Sequence, residues 1–420
     1  MEFSLLSTSG KPVANDGPNV ELRKVLVVDD QPSVRKIVKK MLYDLKSFKV
    51  IDEADDGEEA WTKIKKRRTD QYHIVVTDIW MPKLDGMGLI CRCRKSAFAR
   101  NMQFLTITGE TKPEILAFLG EVGVRDCLVK PFSFQLFQDR IVELLRRLKS
   151  PTEQSYTEIA DLIQSGDFEE AFARVEGLGK NESEKPRWLN LKGEILLGMG
   201  KLGLAKACIE QALGFCDSYL TALSNKATLE EKSGNLDAAI ESLEKADSIS
   251  PLMVDRKINL SDLLFQANRD EEGKTKLCAA ASTTQDYETK LRVAELLHDK
   301  GYEKDSDKIM NRLLLLKSSN IETYNRIGIS LRKLGKYRDA EITYMSALNY
   351  HPENAAIYYN IGILYLYKMD KSKACEYFRK ALTYNPALEK ARVMLDYYDS
   401  GKAGRARPAV RPNAKETEDV

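Results

Sequence analysis

Shifting the sequence by 34 residues lays Tyr324, Ile327, Gly328, Leu331, Ala340, Tyr344, Ala347 and Pro352 onto Tyr358, Ile361, Gly362, Tyr365, Ala374, Phe378, Ala381 and Pro386. Apolar positions stay apolar and small positions stay small. A repeat of this length constrains the fold more than any single motif does, because one unit cannot bury its own apolar face and must stack on a neighbour. Each unit reads as two antiparallel helices, with small residues where the pair approaches closely. Earlier copies are weaker but stay in phase: Gly193, Ala205 and Ala212 precede Ala227, Ala239 and Ala246 by one period, and Pro251 closes that unit. The frame extends to about seven units, starting near 152, 186, 220, 254, 287, 321 and 355. The first is marked by Gly166 and Ala171. The fourth and fifth are the most degenerate, with Gly273 and Ser306 at the small position and no closing proline. The expectation is an all-α superhelix over 152–388 with a long concave face.

Before Ser150 the texture is different. Lys24–Val28 is an apolar run ending in Asp29-Asp30, and Phe48–Glu53, His73–Thr77, Gln103–Thr108 and Asp126–Val129 are further short runs of strand character. Helical patterns fill the stretches of about 32–46, 57–68, 86–98, 112–121 and 133–148. Five buried strands alternating with five helices imply a parallel sheet covered on both faces, so residues 21–149 are expected to form a separate α/β domain. In such a sheet ligands bind beyond the carboxyl ends of the strands. Asp29 and Asp30 close the first strand, Asp78 the third, Thr108 the fourth and Lys130 the fifth. Packing alone explains five polar groups at one edge poorly. Residues 1–20 read as a flexible leader, and 401–420, with Arg405, Arg407, Pro408 and Pro412, as a disordered tail. Residues 148–152 are too few for a long tether, which favours direct contact between the α/β domain and the first repeat.

Composition narrows the function classes. The chain holds 65 Lys and Arg against 63 Asp and Glu, a formal net charge of +2, which gives no electrostatic reason to expect nucleic acid. The basic run Lys63, Lys65, Lys66, Arg67 and Arg68 reads as the solvated C-terminal end of a helix. No apolar run approaches the roughly 20 residues that cross a bilayer, so no membrane insertion is expected. Seven cysteines without a CxxC pair, and three histidines, argue for reduced structural thiols and a cytoplasmic location.

Taken in order, Val-Asp-Asp at 28–30, Asp-Ile-Trp-Met-Pro at 78–82 with Asp85-Gly86, Thr-Gly at 108–109 and Lys-Pro-Phe at 130–132 resemble the receiver domain of two-component response regulators over about 23–148. The resemblance implies a flavodoxin-like, five-stranded parallel sheet; the chemotaxis receiver is the standard instance of that strand order. It also implies a phosphoacceptor, Asp78, and Mg2+ held by Asp29, Asp30, Asp78 and the backbone carbonyl of Trp80. Lys130 would pair with Asp78 and then with the phosphoryl oxygens, and Thr108 would turn its hydroxyl to the new phosphate. That role set matches what phosphoryl transfer to a carboxylate needs: a nucleophile, a hard cation and fixed donors. Two positions depart from the family. Cys127 stands where an aromatic usually completes the switch with the threonine, which points to a different repacking and to a small apolar substitute rather than a redox sensor. Trp80 places an indole at the mouth of the site near Glu110, where it is expected to slow entry of hydrolytic water.

The second segment is similar to tetratricopeptide repeat arrays, which bind proteins or peptides along the concave face. Tyr324, Tyr344, Tyr358, Tyr365 and Phe378 lie at repeat core positions; Tyr359, Tyr367 and Asn360 fall off them and are candidates to face the groove. Together the resemblances imply a non-enzymatic response regulator. A histidine kinase or phosphotransfer protein would load Asp78, and the array would bind a protein partner. Other readings are an inhibitor that occupies the kinase, an aspartyl-phosphate phosphatase acting on another receiver through a residue such as Gln164, Gln211 or Gln266, and a homodimerisation switch.

Overall fold

A computed structural model describes residues 23–178, 185–315 and 321–399; the leader and tail expected at 1–20 and 401–420 lie outside the described residues. The chain divides into two compact units, one up to Arg256 and one from Lys257.

The first unit begins with the α/β segment. Its strands are β1 (Arg23–Val28), β2 (Phe48–Ala54), β3 (Ile74–Asp78), β4 (Gln103–Thr108) and β5 (Asp126–Val129). They alternate with α1 (Pro32–Asp44), α2 (Gly57–Lys66), α3 (Gly86–Lys95), α4 (Pro113–Glu121) and α5 (Phe134–Leu148). All pairings are parallel and the order is β2-β1-β3-β4-β5. Successive side chains of a strand point to opposite faces, and here both faces are apolar. Leu26, Val28, Val75 and Phe104 join Ile64, Leu89, Ile90 and Phe118 from α2, α3 and α4. Val25, Val27, Val76 and Leu105 face the other way and pack on Leu42 from α1 and Ile141 from α5. The continuous apolar run of β1 is the signature of a strand covered twice.

The helices start where the sequence supplies caps. Asp56, Asp85 and Ser133 accept from the backbone N–H groups of Glu59, Gly88 and Leu136 at 2.8, 2.7 and 3.2 Å. Pro32 and Pro113 open α1 and α4 with their fixed φ. The basic run ends α2, where cations suit the helix dipole.

Helix pairs then succeed one another without a strand among the described residues. The first unit contains α6 (Pro151–Ser165) with α7 (Phe168–Glu176), α8 (Pro186–Gly198) with α9 (Leu202–Phe215), and α10 (Leu220–Lys232) with α11 (Leu236–Ile249), and it ends just inside α12 (Val254–Gln266). First helices of successive pairs run side by side: Asn225 on α10 donates to the side-chain oxygen of Asn190 on α8 at 2.9 Å.

The second unit takes up α12 and continues with α13 (Asp270–Thr283), α14 (Tyr287–Asp299), α15 (Glu303–Leu315), α16 (Ile321–Lys333), α17 (Tyr337–Tyr350), α18 (Ala355–Tyr367), α19 (Lys371–Tyr384) and α20 (Glu389–Asp399). The period does not include α20, whose Met394 nonetheless closes the apolar cluster of the last pairs. Asn360 on α18 donates to Asn325 on α16, Tyr359 packs on Phe378, and Tyr367 packs on Tyr337. Tyr344 and Phe378 are fully buried, and the two repeat glycines explain how. A Cβ on Gly328 would stand 2.3 Å from Tyr344 Cε1, and one on Gly362 would stand 2.5 Å from Phe378 Cε1. The missing side chain is the ring's space. Gly328→Ala is therefore expected to lower array stability by about 1–3 kcal/mol through overpacking, read as a lower denaturant midpoint with receiver-segment probes unchanged. A neutral effect there would show that the ring has room to move.

Candidate phosphoacceptor site and the carboxyl edge of the sheet

The parallel sheet brings Asp29, Asp30, Asp78, Thr108 and Lys130 to one edge because each closes, or directly follows, a strand. Glycine makes the loop beside Asp78 tight: a Cβ on Gly86 would fall 2.1 Å from the Asp78 carbonyl oxygen, so the chain can return to start α3 only with Gly there. Gly86 N–H donates to the Ile79 carbonyl at 2.9 Å and fixes that return.

Asp78 is buried. Its Oδ1 accepts from the backbone N–H groups of Ile79 at 2.6 Å and Trp80 at 3.3 Å, and its Oδ2 accepts from Lys130 Nζ at 2.6 Å. The same ammonium donates to Asp29 Oδ2 at 2.9 Å. Although burial works against its charge, the hydrogen bonds to Asp78 and Asp29 hold the Lys130 pKa above its ordinary value. Burial raises the Asp29 carboxyl pKa, with Lys130 and the Gln31 N–H only partly offsetting it. Asp30 is exposed, yet ligand oxygens of Asp29, Asp30 and Asp78 all fall within 4.8 Å of one another. Three carboxylates at that spacing suit a hard, oxygen-seeking divalent cation.

Thr108 is buried at the same edge, but its hydroxyl is turned to Glu110. It donates to the Glu110 carbonyl and accepts from the Glu110 N–H, both at 3.1 Å. The Glu110 carboxylate pairs with Lys112 at 2.8 Å. Trp80 is 44% exposed at the rim. Cys127, half-buried on β5 opposite Thr106, has its thiol pKa raised by burial, which suits the packing role of a small apolar residue rather than a reactive thiolate. None of the seven cysteines is in a disulfide.

Two contributors carry no motif signal. Arg35 Nη1 donates to the Asp29 carbonyl at 2.7 Å and anchors the β1–α1 turn. Lys83, at φ 64°, a left-handed position uncommon for lysine, pairs with the buried Asp56 at the start of α2. Both contacts join residues that are unremarkable by type and meet only after the strands assemble.

With this geometry in place, comparison with known proteins is specific. The model of the response regulator receiver domain matches residues 25–142, and that of the tetratricopeptide repeat matches 187–218, 220–251, 321–354 and 355–388. The chemotaxis protein CheY-3 of Vibrio cholerae serotype O1 is 35% identical over 30% of this chain and 93% of its own length. The chemotaxis protein CheY of Pseudomonas aeruginosa is 31% identical over 30% of this chain and 98% of its own. Among solved structures, chemotaxis response regulator CheY4 of Vibrio cholerae is 30% identical, covering 29% of this chain and 98% of that one, with a TM-score of 0.27. No described helix is long and apolar enough to cross a membrane. The chain belongs to the response regulator receiver family and carries, after its receiver, an array of tetratricopeptide repeats.

Proposed function

We propose that this protein is a cytoplasmic response regulator of a phosphorelay: Asp78 accepts a phosphoryl group from a histidine kinase or phosphotransfer protein, and the repeat array delivers the signal by binding a protein partner. The observation that carries this reading is the bridging ammonium of Lys130, held between Asp78 and Asp29 with Asp30 beside them. Asp78 offers Oδ2 as the nucleophile while Oδ1 is fixed by two backbone N–H groups, so attack starts from an oriented carboxylate. Lys130 is placed to follow the charge onto the phosphoryl oxygens. Thr108 would offer its hydroxyl to the phosphoryl group on leaving the Glu110 backbone. Asp29, Asp30, Asp78 and the Trp80 carbonyl would hold Mg2+, which supplies charge neutralisation for phosphoryl transfer. The receiver and repeats suggest a signalling and binding protein rather than an enzyme with its own substrate.

The test is intact-mass measurement after exposure to a small phosphodonor. One phosphoryl group per chain is expected with Mg2+ and none with a chelator. Uptake that ignores the metal, or no uptake by the folded protein, would overturn the reading.

A further inference from the structure

Asp78 ends β3, and the loop from Ile79 to Asp85 carries the chain from there to α3. The first two backbone N–H groups of this loop fix the Asp78 carboxylate, and the Trp80 carbonyl is among the oxygens proposed above to hold Mg2+. Where the loop lies therefore decides how well the site is assembled. Both of its ends are anchored. Ile79 N–H donates to the Ile107 carbonyl at 3.3 Å, and the Ile79 carbonyl accepts from Gly86 N–H at 2.9 Å. At the other end the Leu84 carbonyl accepts from Gly57 N–H at 3.0 Å, and the Leu84 side chain is fully buried. Gly57 opens α2, and a Cβ there would stand 2.3 Å from the Leu84 oxygen, so the turn between β2 and α2 lies directly against the loop.

Between these anchors stands Lys83. Its φ of 64° is one that glycine adopts freely and that a side chain disfavours. The turn by itself asks only for glycine; the lysine adds an ammonium that reaches Asp56 Oδ2. Asp56 is 2% exposed and uses both of its oxygens. Oδ1 caps α2 by accepting from Glu59 N–H at 2.8 Å, and Oδ2 takes the ammonium. In turn α2 is held by Ala60 and Ile64, both fully buried in the core. One buried carboxylate thus ties the loop to a helix that the core keeps in place. The hydrogen bond to Asp56 raises the Lys83 pKa against the effect of burial, and Asp55 and Glu59 add to the rise.

We propose that the Asp56–Lys83 ion pair is a positioning clamp for the metal site: it fixes the β3–α3 loop, and through it the Trp80 carbonyl, so that the site binds Mg2+ more tightly than its three carboxylates alone would. This rests on Asp29, Asp30, Asp78 and the Trp80 carbonyl being the Mg2+ ligands. A group that orients a ligand without touching the metal carries a factor of about 10–100 in metal affinity. The charge of Lys83 taken alone acts in the opposite sense. A cation beside an acidic site repels Mg2+, so losing it for its charge would tighten metal binding. The sign of the change separates the two effects.

The test is calorimetric Mg2+ titration of the full chain, wild type beside Lys83→Gly and Asp56→Asn, with phosphoryl uptake followed by intact mass over the same Mg2+ range. Lys83→Gly keeps the backbone conformation of the turn, and Asp56→Asn keeps a side chain that caps a helix. Each should weaken Mg2+ binding about tenfold and raise the Mg2+ concentration for half-maximal uptake by the same factor. The uptake rate at saturating Mg2+ should stay close to that of wild type, since the bound ion then supplies the ordering that the clamp no longer does. Affinity unchanged in both variants, or raised in Lys83→Gly, would overturn the clamp, as would a wild type that binds no Mg2+. Wild type that binds Mg2+ yet gains no phosphoryl mass would instead overturn the phosphoacceptor reading, and the titration would still decide the clamp.

Discussion

Lys130→Ala is expected to slow phosphoryl uptake by roughly 10²–10³-fold, the usual cost of removing one fixed charge-stabilising donor from a phosphoryl or oxyanion site. Uptake should vanish with Asp78→Ala. Lys130 bridges Asp78 and Asp29, at 2.6 and 2.9 Å. Without it, the carboxylates repel one another as well as the incoming phosphoryl oxygens. The same substitution should leave Mg2+ affinity unchanged or raised, since it removes a competitor for the carboxylates. Time-resolved intact mass gives the rate, and a metal titration followed by tryptophan fluorescence at Trp80 gives the affinity. A rate within threefold of wild type would mean that Lys130 is a structural partner of the acidic pair and not a participant in transfer. Lys130→Arg should recover little, because a planar guanidinium cannot take the bridging position of a compact ammonium.

Replacing Arg94 should cause the largest loss of stability in the receiver. Its guanidinium donates to three carbonyls, Val122 at 2.8 Å, Arg100 at 2.6 Å and Met102 at 2.9 Å, and lies over the Phe104 ring. Thus one side chain ties the end of α4 to the loop before β4. An unpaired buried carbonyl costs about 1–3 kcal/mol, so Arg94→Met is expected to destabilise by roughly 3–5 kcal/mol after partial hydration of the freed groups. Equilibrium urea unfolding monitored by near-ultraviolet dichroism measures it. A loss under 1 kcal/mol would show that water replaces the guanidinium without penalty. Because Arg94 holds the platform that Arg100 and Glu121 present to the repeats, the variant should also loosen residues 250–256.

Much of the fold was legible because its signals are local. The all-apolar β1 announced a strand covered twice, the alternation of strand and helix announced a parallel sheet, and strand ends placed Asp29, Asp78, Thr108 and Lys130 at one edge. The small residues of the repeat were legible for the same reason: spacing alone marks where Gly328 must meet a ring one helix later. Thr108 was less legible. Its position follows from the end of β4, but its bond to Glu110 rather than to the acidic cluster depends on how the next loop folds back.

What the sequence determined by itself is the pair of architectures and the chemistry at one sheet edge, since both follow from continuous apolar runs with polar residues at their ends and from periods of 3.6 and 34 residues, none of which needs knowledge of distant segments. Only the tertiary structure decided that Glu121 meets Arg256, 135 residues further on. That contact depends on how three stacked helix pairs pack on one another, which no local period of the sequence sets. It depends equally on the opposite edge of the sheet, where Glu121, Arg100 and Lys95 are ordinary surface charges until Arg256, Asp161 and Asp255 of the same unit meet them.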